Sequence, residues 1–183
     1  MTSVSERYAS YKAPRWVLPA LECLLGTLPK GHIQDLSSVV LTDSDGVGDG
    51  KTGRVRGRKH ARRACRGFYH RASKGVPAWI ELVVDNTIRS IPQSALLIPG
   101  MRELVLGEVL YHEVGHHFDA TVGAPARSGE SAAEAWSARL LRQHIRQRHH
   151  VRRAVGYVMA PAVRVIVSHL RRRAHVQRRG AAG

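Results

Sequence analysis

The chain is short of cysteine, of aromatics and of negative charge, and each shortage excludes something. Two cysteines in 183 residues, Cys23 and Cys65, form no CxxC pair. They cannot close a Cys-rich structural zinc site; they could bridge to one another, but with no secretory leader at the start reduced thiols in a cytoplasmic protein are expected. Trp, Tyr and Phe together make up 5% of the residues, too few for an evident base-stacking platform. Long apolar runs are missing as well. The longest stretch, Ala154 to Leu170, contains Pro161 and Arg164 and falls short of a membrane-spanning helix. The start, Met1-Thr-Ser-Val-Ser-Glu, has neither the basic nor the apolar region of a secretory leader.

Acids are scarce in a patterned way. Lys and Arg number 29 against 14 Asp and Glu, a formal charge of +15. No acid lies between Gly50 and Ile80, a stretch with ten Lys or Arg, and none follows Glu134, beyond which stand twelve Arg. Blocks this dense point to nucleic acid or another polyanion as a partner. The length accommodates one compact domain, expected over 13–146, followed by an Arg/His-rich helical tail over 147–183.

What is present carries chemistry. His112-Glu113-Val114-Gly115-His116 is an HExxH motif. Residues four apart share one face of an α-helix, so the two imidazoles can close on one metal ion. Glu113, beside the first of them, can take a proton from a metal-bound water, which is the mechanical content of the zinc-peptidase signature. Leu106, Val109, Leu110, Val114 and Phe118 recur at helical spacing, and no charge other than Glu113 lies among the motif residues. Asp119, three residues past His116, is placed to accept the second N–H of a ligand imidazole and fix its tautomer. His117 faces about 100° away from His116 and is expected to be a bystander.

Around the motif the pattern is α+β. Trp16 to Leu25 reads as a helix with Pro19 near its first turn. Val39–Leu41, Ala64–His70 and Trp79–Asp85 read as strands, the last rich in β-branched and aromatic residues and ending at Asn86. Asp43 to Gly53 is a polar loop by composition. Gly50-Lys51-Thr52 imitates the end of a phosphate-binding loop, but Asp45 stands where the first glycine belongs. Asp43, Asp45 and Asp49 imitate a calcium loop, but Gly46 is misplaced and no bidentate Glu closes it.

Downstream, Glu130-x-x-x-Glu134-Ala135-Trp136 supplies acids for a third ligand. With this run the chain resembles the gluzincin branch of the zincin metallopeptidases. The run is similar to one in the catalytic domain of anthrax lethal factor and to the Glu-rich helix of phage-repressor-cleaving peptidases. The likeness covers about Trp79 to Leu141. It implies a minimal zincin fold, in which a small mixed three-stranded sheet packs on an N-terminal helix and the metal-binding helix. It also implies Zn²⁺ held by His112, His116 and Glu130, with Glu134 supporting a ligand histidine. The reverse assignment of the two glutamates stays open, and Ser131-x-x-Glu134 also has the spacing of a capping box. Trp79, Ile80, Glu81, Leu82 and Val83 are the implied edge strand, antiparallel to a bound peptide.

The expected activity is hydrolysis of peptide bonds in a peptide or protein substrate by a Glu113-activated water. Tyr111 and Tyr157 are the candidates for steadying the oxyanion. His144, His149 and His150 are expected to be solvated among their arginines, since neighbouring cations oppose metal binding. The competing reading is a basic nucleic-acid-binding or interaction protein with a structural metal or none. Membrane-surface attachment through Val163–Val176 is a weaker rival.

Overall fold

The structure, a computed structural model, describes residues 2–47, 52–55, 58–98, 100–122 and 129–148. Expectations for His149, His150, Tyr157, Val163–Val176 and the central part of the Asp43–Gly53 loop therefore lie outside the described residues. The chain divides into two compact units, Met1–His144 and Ile145–Gly183. The first holds every element described below except the last four residues of the final helix, Glu130–Arg148.

Four strands form one mixed sheet. They are β1 (Ser3–Arg7), β2 (Leu36–Thr42), β6 (Ala78–Val83) and β5 (Gly67–His70), in that spatial order. The first three run parallel and β5 closes one edge antiparallel to β6. A separate antiparallel hairpin is made by β3 (Thr52–Val55) and β4 (Arg58–Ala61). The α+β class is as expected, but the sheet has four strands rather than three. The additional strand starts at Ser3, upstream of the expected domain boundary at residue 13. Its sequence, Ser-Val-Ser-Glu-Arg, has one apolar residue, so no hydrophobic alternation marks it; pairing with β2 makes it a strand.

The edge moves accordingly. Trp79, Ile80, Glu81, Leu82 and Val83 are interior: each is in register with β2, and the other side pairs with β5 or, at Val83, with the Arg66 carbonyl. An interior strand has no backbone groups left for a peptide, so the substrate-strand expectation is corrected. A nearly continuous apolar run is what a strand paired on both sides and buried requires, and Ile80, Leu82 and Val83 are at most 2% exposed. The strand also stops early. Val84 and Asp85 open a short helix, α2 (Val84–Arg89), whose Thr87 hydroxyl donates to the Val83 carbonyl at 2.8 Å.

Helix α1 (Val17–Gly26) buries Val17, Ala20, Leu21 and Leu24, one face at i, i+3/i+4 spacing. Pro19 falls in its first turn, where a missing N–H costs no intrahelical bond. Helix α3 (Met101–Val122) carries the motif and packs on α1, β5 and β6. Helix α4 (Glu130–Arg148) follows. Among the described residues no helix is long and apolar enough to cross a membrane.

Two buried carboxylates tie the strand ends together. Asp43, 1% exposed, accepts backbone N–H bonds from Ala9, Ser10, Tyr11 and Gly46 at 2.7–3.1 Å. Asp85 accepts the Ser44 N–H at 2.9 Å and its hydroxyl at 2.7 Å. Asp45 binds Arg63 and the Ser10 hydroxyl, each at 2.6 Å. Asp43 and Asp45, the two described acids of the calcium-loop imitation, are thus engaged by protein donors. Burial opposes ionisation of Asp43, but its four backbone donors outweigh it and hold the carboxyl far below the usual range. A depressed folded-state value stabilises the fold above the ordinary carboxylate pKa and loses that contribution as pH falls. Replacing Asp43 by Ala strands several buried N–H groups and should cost roughly 2–4 kcal/mol, at a few per unsatisfied network. Urea unfolding at pH 7 and pH 3 checks this, and the gap between wild type and variant should shrink at the lower pH.

Candidate metal centre

The motif residues share one face of α3, and α4 brings the third group to them. His112 and His116 Nε2 atoms lie 3.2 Å apart. Glu130 Oε2 is 3.4 Å from the first, and its Oε1 is 3.8 Å from the second. Donors arranged tetrahedrally around zinc at bond lengths near 2.0–2.1 Å sit roughly 3.3–3.4 Å from one another. The three side chains therefore fit a divalent metal in both chemistry and spacing, and they form the one such group among the described residues. Each is partly accessible, at 24%, 25% and 34% of the side chain, so solvent reaches the point where they converge. A catalytic metal needs that access; a closed structural site does not.

Between the two glutamates the geometry chooses. Glu130 is the first residue of α4, where unpaired backbone N–H groups favour a carboxylate. Glu134, one turn later, is exposed and outside the donor set, although its charge still reaches His112. The capping-box reading fails, because the helix begins at Glu130 and the Gly129 carbonyl already takes the N–H groups of Ala132 and Ala133. Burial and the neighbouring His116 lower the pKa of His112, against the pull of Glu130 and Glu134. A neutral imidazole is the form that binds metal.

Close packing at one glycine sets this convergence. A Cβ on Gly115 would lie 3.0 Å from Ala133 Cα and 3.2 Å from Trp136 Cβ. Its absence lets the backbone of α4 settle directly against the motif turn. In the sequence Gly115 is one of the uncharged motif residues, and the small residue opposite it, Ala133, is the available signal of the close contact.

Glu113 is 7% exposed and faces the sheet edge. Gly67 at the start of β5 leaves room for it, since a Cβ there would fall 3.0 Å from Glu113 Oε1 and 2.8 Å from Val109 Cγ1. Burial first, then the Glu130 charge, push the Glu113 pKa to about 8, while the Tyr69 backbone N–H and Arg66 pull the other way. The edge strand thus holds the Glu113 carboxylate in place by a main-chain hydrogen bond. Val83 N–H donates to the Arg66 carbonyl at 2.8 Å, so Phe68 and His70, in step with Arg66, turn their amides towards β6. Gly67 and Tyr69 turn theirs outward.

The remaining candidates separate. Asp119 Oδ2 is buried and finds no hydrogen-bond partner among the described residues, so the expected bond to a ligand imidazole is not formed. Tyr111 is 1% exposed and its hydroxyl donates to the Leu24 carbonyl at 3.2 Å beside Thr27, which turns it towards α1 and removes it as an oxyanion group. His144 is 2% exposed and bonds Thr27 Oγ1 at 3.0 Å, contrary to the expected solvated histidine; it belongs to the buried face of α4. His117 is indeed no ligand. It is buried, with Nε2 2.7 Å from the Gln34 carbonyl and Nδ1 3.3 Å from the Tyr69 hydroxyl, and so ties α3 to β5. His32, stacked on Phe118 at 4.7 Å and edge-on to Trp136 at 5.2 Å, completes an aromatic cluster that no sequence pattern announced.

No protein-family model, curated protein or solved structure matches this chain.

Two outcomes follow from this geometry. A Val at position 115 overpacks the α3–α4 contact, at a cost of about 1–3 kcal/mol. It should lower zinc affinity at least tenfold in a competition titration while leaving circular dichroism nearly unchanged. The raised folded-state pKa of Glu113 means that its stabilising contribution is present below about pH 4.5 and is lost as pH rises through about 8. In metal-free protein Glu113→Gln should therefore match wild type in melting temperature at pH 4 and exceed it at pH 9.

Proposed function

We propose that the chain is a zinc-dependent metallopeptidase of the gluzincin type. One observation carries this: Nε2 of His112, Nε2 of His116 and the Glu130 carboxylate converge at 3.2–3.8 Å beside the buried carboxylate of Glu113. His112, His116 and Glu130 would hold the ion. Bound zinc supplies Lewis acidity, lowering the pKa of water towards about 7 and polarising a carbonyl.

The protein supplies the rest. Glu113, held by the Tyr69 N–H, accepts the proton of the attacking water and then hands it to the leaving amine. Its burial keeps its basicity high, which suits a group that must take up a proton near neutral pH. With the Tyr69 N–H engaged by Glu113, the outward N–H of Gly67 and the outward carbonyls of Gly67 and Tyr69 offer an extended peptide main-chain hydrogen bonds next to the site, a mode that gives affinity with little dependence on side chains. That role passes to β5 from the Trp79–Val83 strand. A nucleic-acid-binding protein without an enzyme site draws on charge alone and leaves the His–His–Glu convergence without a purpose.

Metal analysis and peptide hydrolysis test the reading together. About one zinc per chain should co-purify or titrate in, be lost in His112→Ala and Glu130→Ala, and persist in Glu134→Ala. Glu113→Gln should keep the metal and lower turnover by about 10²–10⁴-fold, the range of general acid–base catalysis. Unchanged turnover in that variant would rule the mechanism out.

A further inference from the structure

Two cations of the acid-free segment stand at the ends of the strand that borders the metal centre. Arg66 directly precedes β5 and Arg71 directly follows it, and both are exposed. Arg66 is anchored through its backbone: its carbonyl takes the Val83 N–H, and the adjacent Gly67 lies against Glu113. Its guanidinium meets Glu108 at 3.5 Å, but the two side chains are 42% and 54% exposed. A pair so open to water is weak and leaves most of the charge available. Among the described residues Arg71 forms no ion pair, and neither does Lys74 in the turn beyond it.

A peptide laid in extended form along the outer edge of β5 runs from one guanidinium to the other. Five residues of strand cover roughly 17 Å. We infer that the site selects extended peptides carrying Asp or Glu at two places about five residues apart, one near Arg66 and one near Arg71. This rests on the peptidase reading for the pose, while the charges supply the selection. Opposite charges so placed add modest affinity and discriminate against basic sequences, which would bring like charges together. Nucleic acid fits this edge less well. It can meet the cations, but it lacks a peptide main chain to pair with the outward Gly67 N–H and the outward carbonyls of Gly67 and Tyr69. Charged residues beside a free sheet edge also deter edge-to-edge aggregation, which is the competing explanation for them.

The test compares two labelled peptides of about ten residues, identical except for Glu or Gln at two positions five apart. Binding to the full-length, zinc-loaded Glu113→Gln protein is followed by fluorescence anisotropy. The Glu peptide should bind roughly five- to tenfold more tightly at low salt, the scale of two partly exposed charge pairs. The difference should fade at high salt. Arg66→Gln combined with Arg71→Gln should erase it. Should that double variant misfold, the Glu/Gln comparison and its salt dependence still decide. Equal affinity for both peptides overturns the inference and leaves the arginines as guards of the edge. Displacement of the Glu peptide by a tighter-binding DNA duplex also overturns it, in favour of a nucleic-acid surface. Cleavage by zinc-loaded wild type is followed separately. Charge-selective binding without any cleavage defeats the peptidase reading alone, whereas cleavage of both peptides with equal kcat/KM defeats this inference alone.

Discussion

Everything at the site depends on how closely α4 can lie against α3. The motif contributes two imidazoles from one helical face, but two donors do not define a metal site. The third comes from a different helix, and its carboxylate arrives only because Gly115 and Ala133 present almost no side chain between the two backbones. Interiors are packed densely enough that a methyl group at such a contact moves the helix rather than vanishing into slack. A displacement of a few tenths of an ångström at the crossing is then passed on to Glu130, three residues away from Ala133. The glycine inside the motif is thus a spacing element for the centre as a whole.

The same economy of side chain operates on the other flank. Gly67 lets the edge strand approach Glu113, and the Tyr69 N–H reaches its carboxylate. A carboxylate 7% exposed would normally be an expense to the fold. Here one main-chain donor and the nearby Arg66 offset part of it, and the remainder appears as raised basicity. His117 secures the arrangement from behind by joining Gln34 and Tyr69 to α3. Glu113 and the edge strand are therefore positioned by one connected piece of structure.

Buried acids elsewhere have a different use. Asp43 and Asp85 are almost wholly enclosed, yet both are saturated by hydrogen-bond donors and stitch the ends of β2 and β6 to neighbouring turns. A chain with few acids places several of them where backbone N–H groups need an acceptor. Among the described side chains of the acid-free segment, Arg66, Arg71 and Lys74 stand exposed. Scarcity of acid is thus a structural fact as well as a compositional one.

From the sequence alone, the two imidazoles and the two glutamates that could join them can be named. The helix that carries Glu130 is implied by the resemblance, while periodicity or composition marks α1, α3, β2, β5 and β6, and the HExxH spacing puts two histidines on one face wherever a helix forms. These are local properties, set by 3.6 residues per turn and by alternation along a strand. Tertiary structure alone decided the rest. It chose Glu130 over Glu134, because both spacings suit a helix and only packing says which carboxylate meets the imidazoles. It made Trp79–Val83 an interior strand and β5 the edge, since pairing partners lie far off in sequence. It also turned Tyr111 and His144 inward. A polar side chain's neighbours depend on which helix is opposite, and no pattern within its own segment records that.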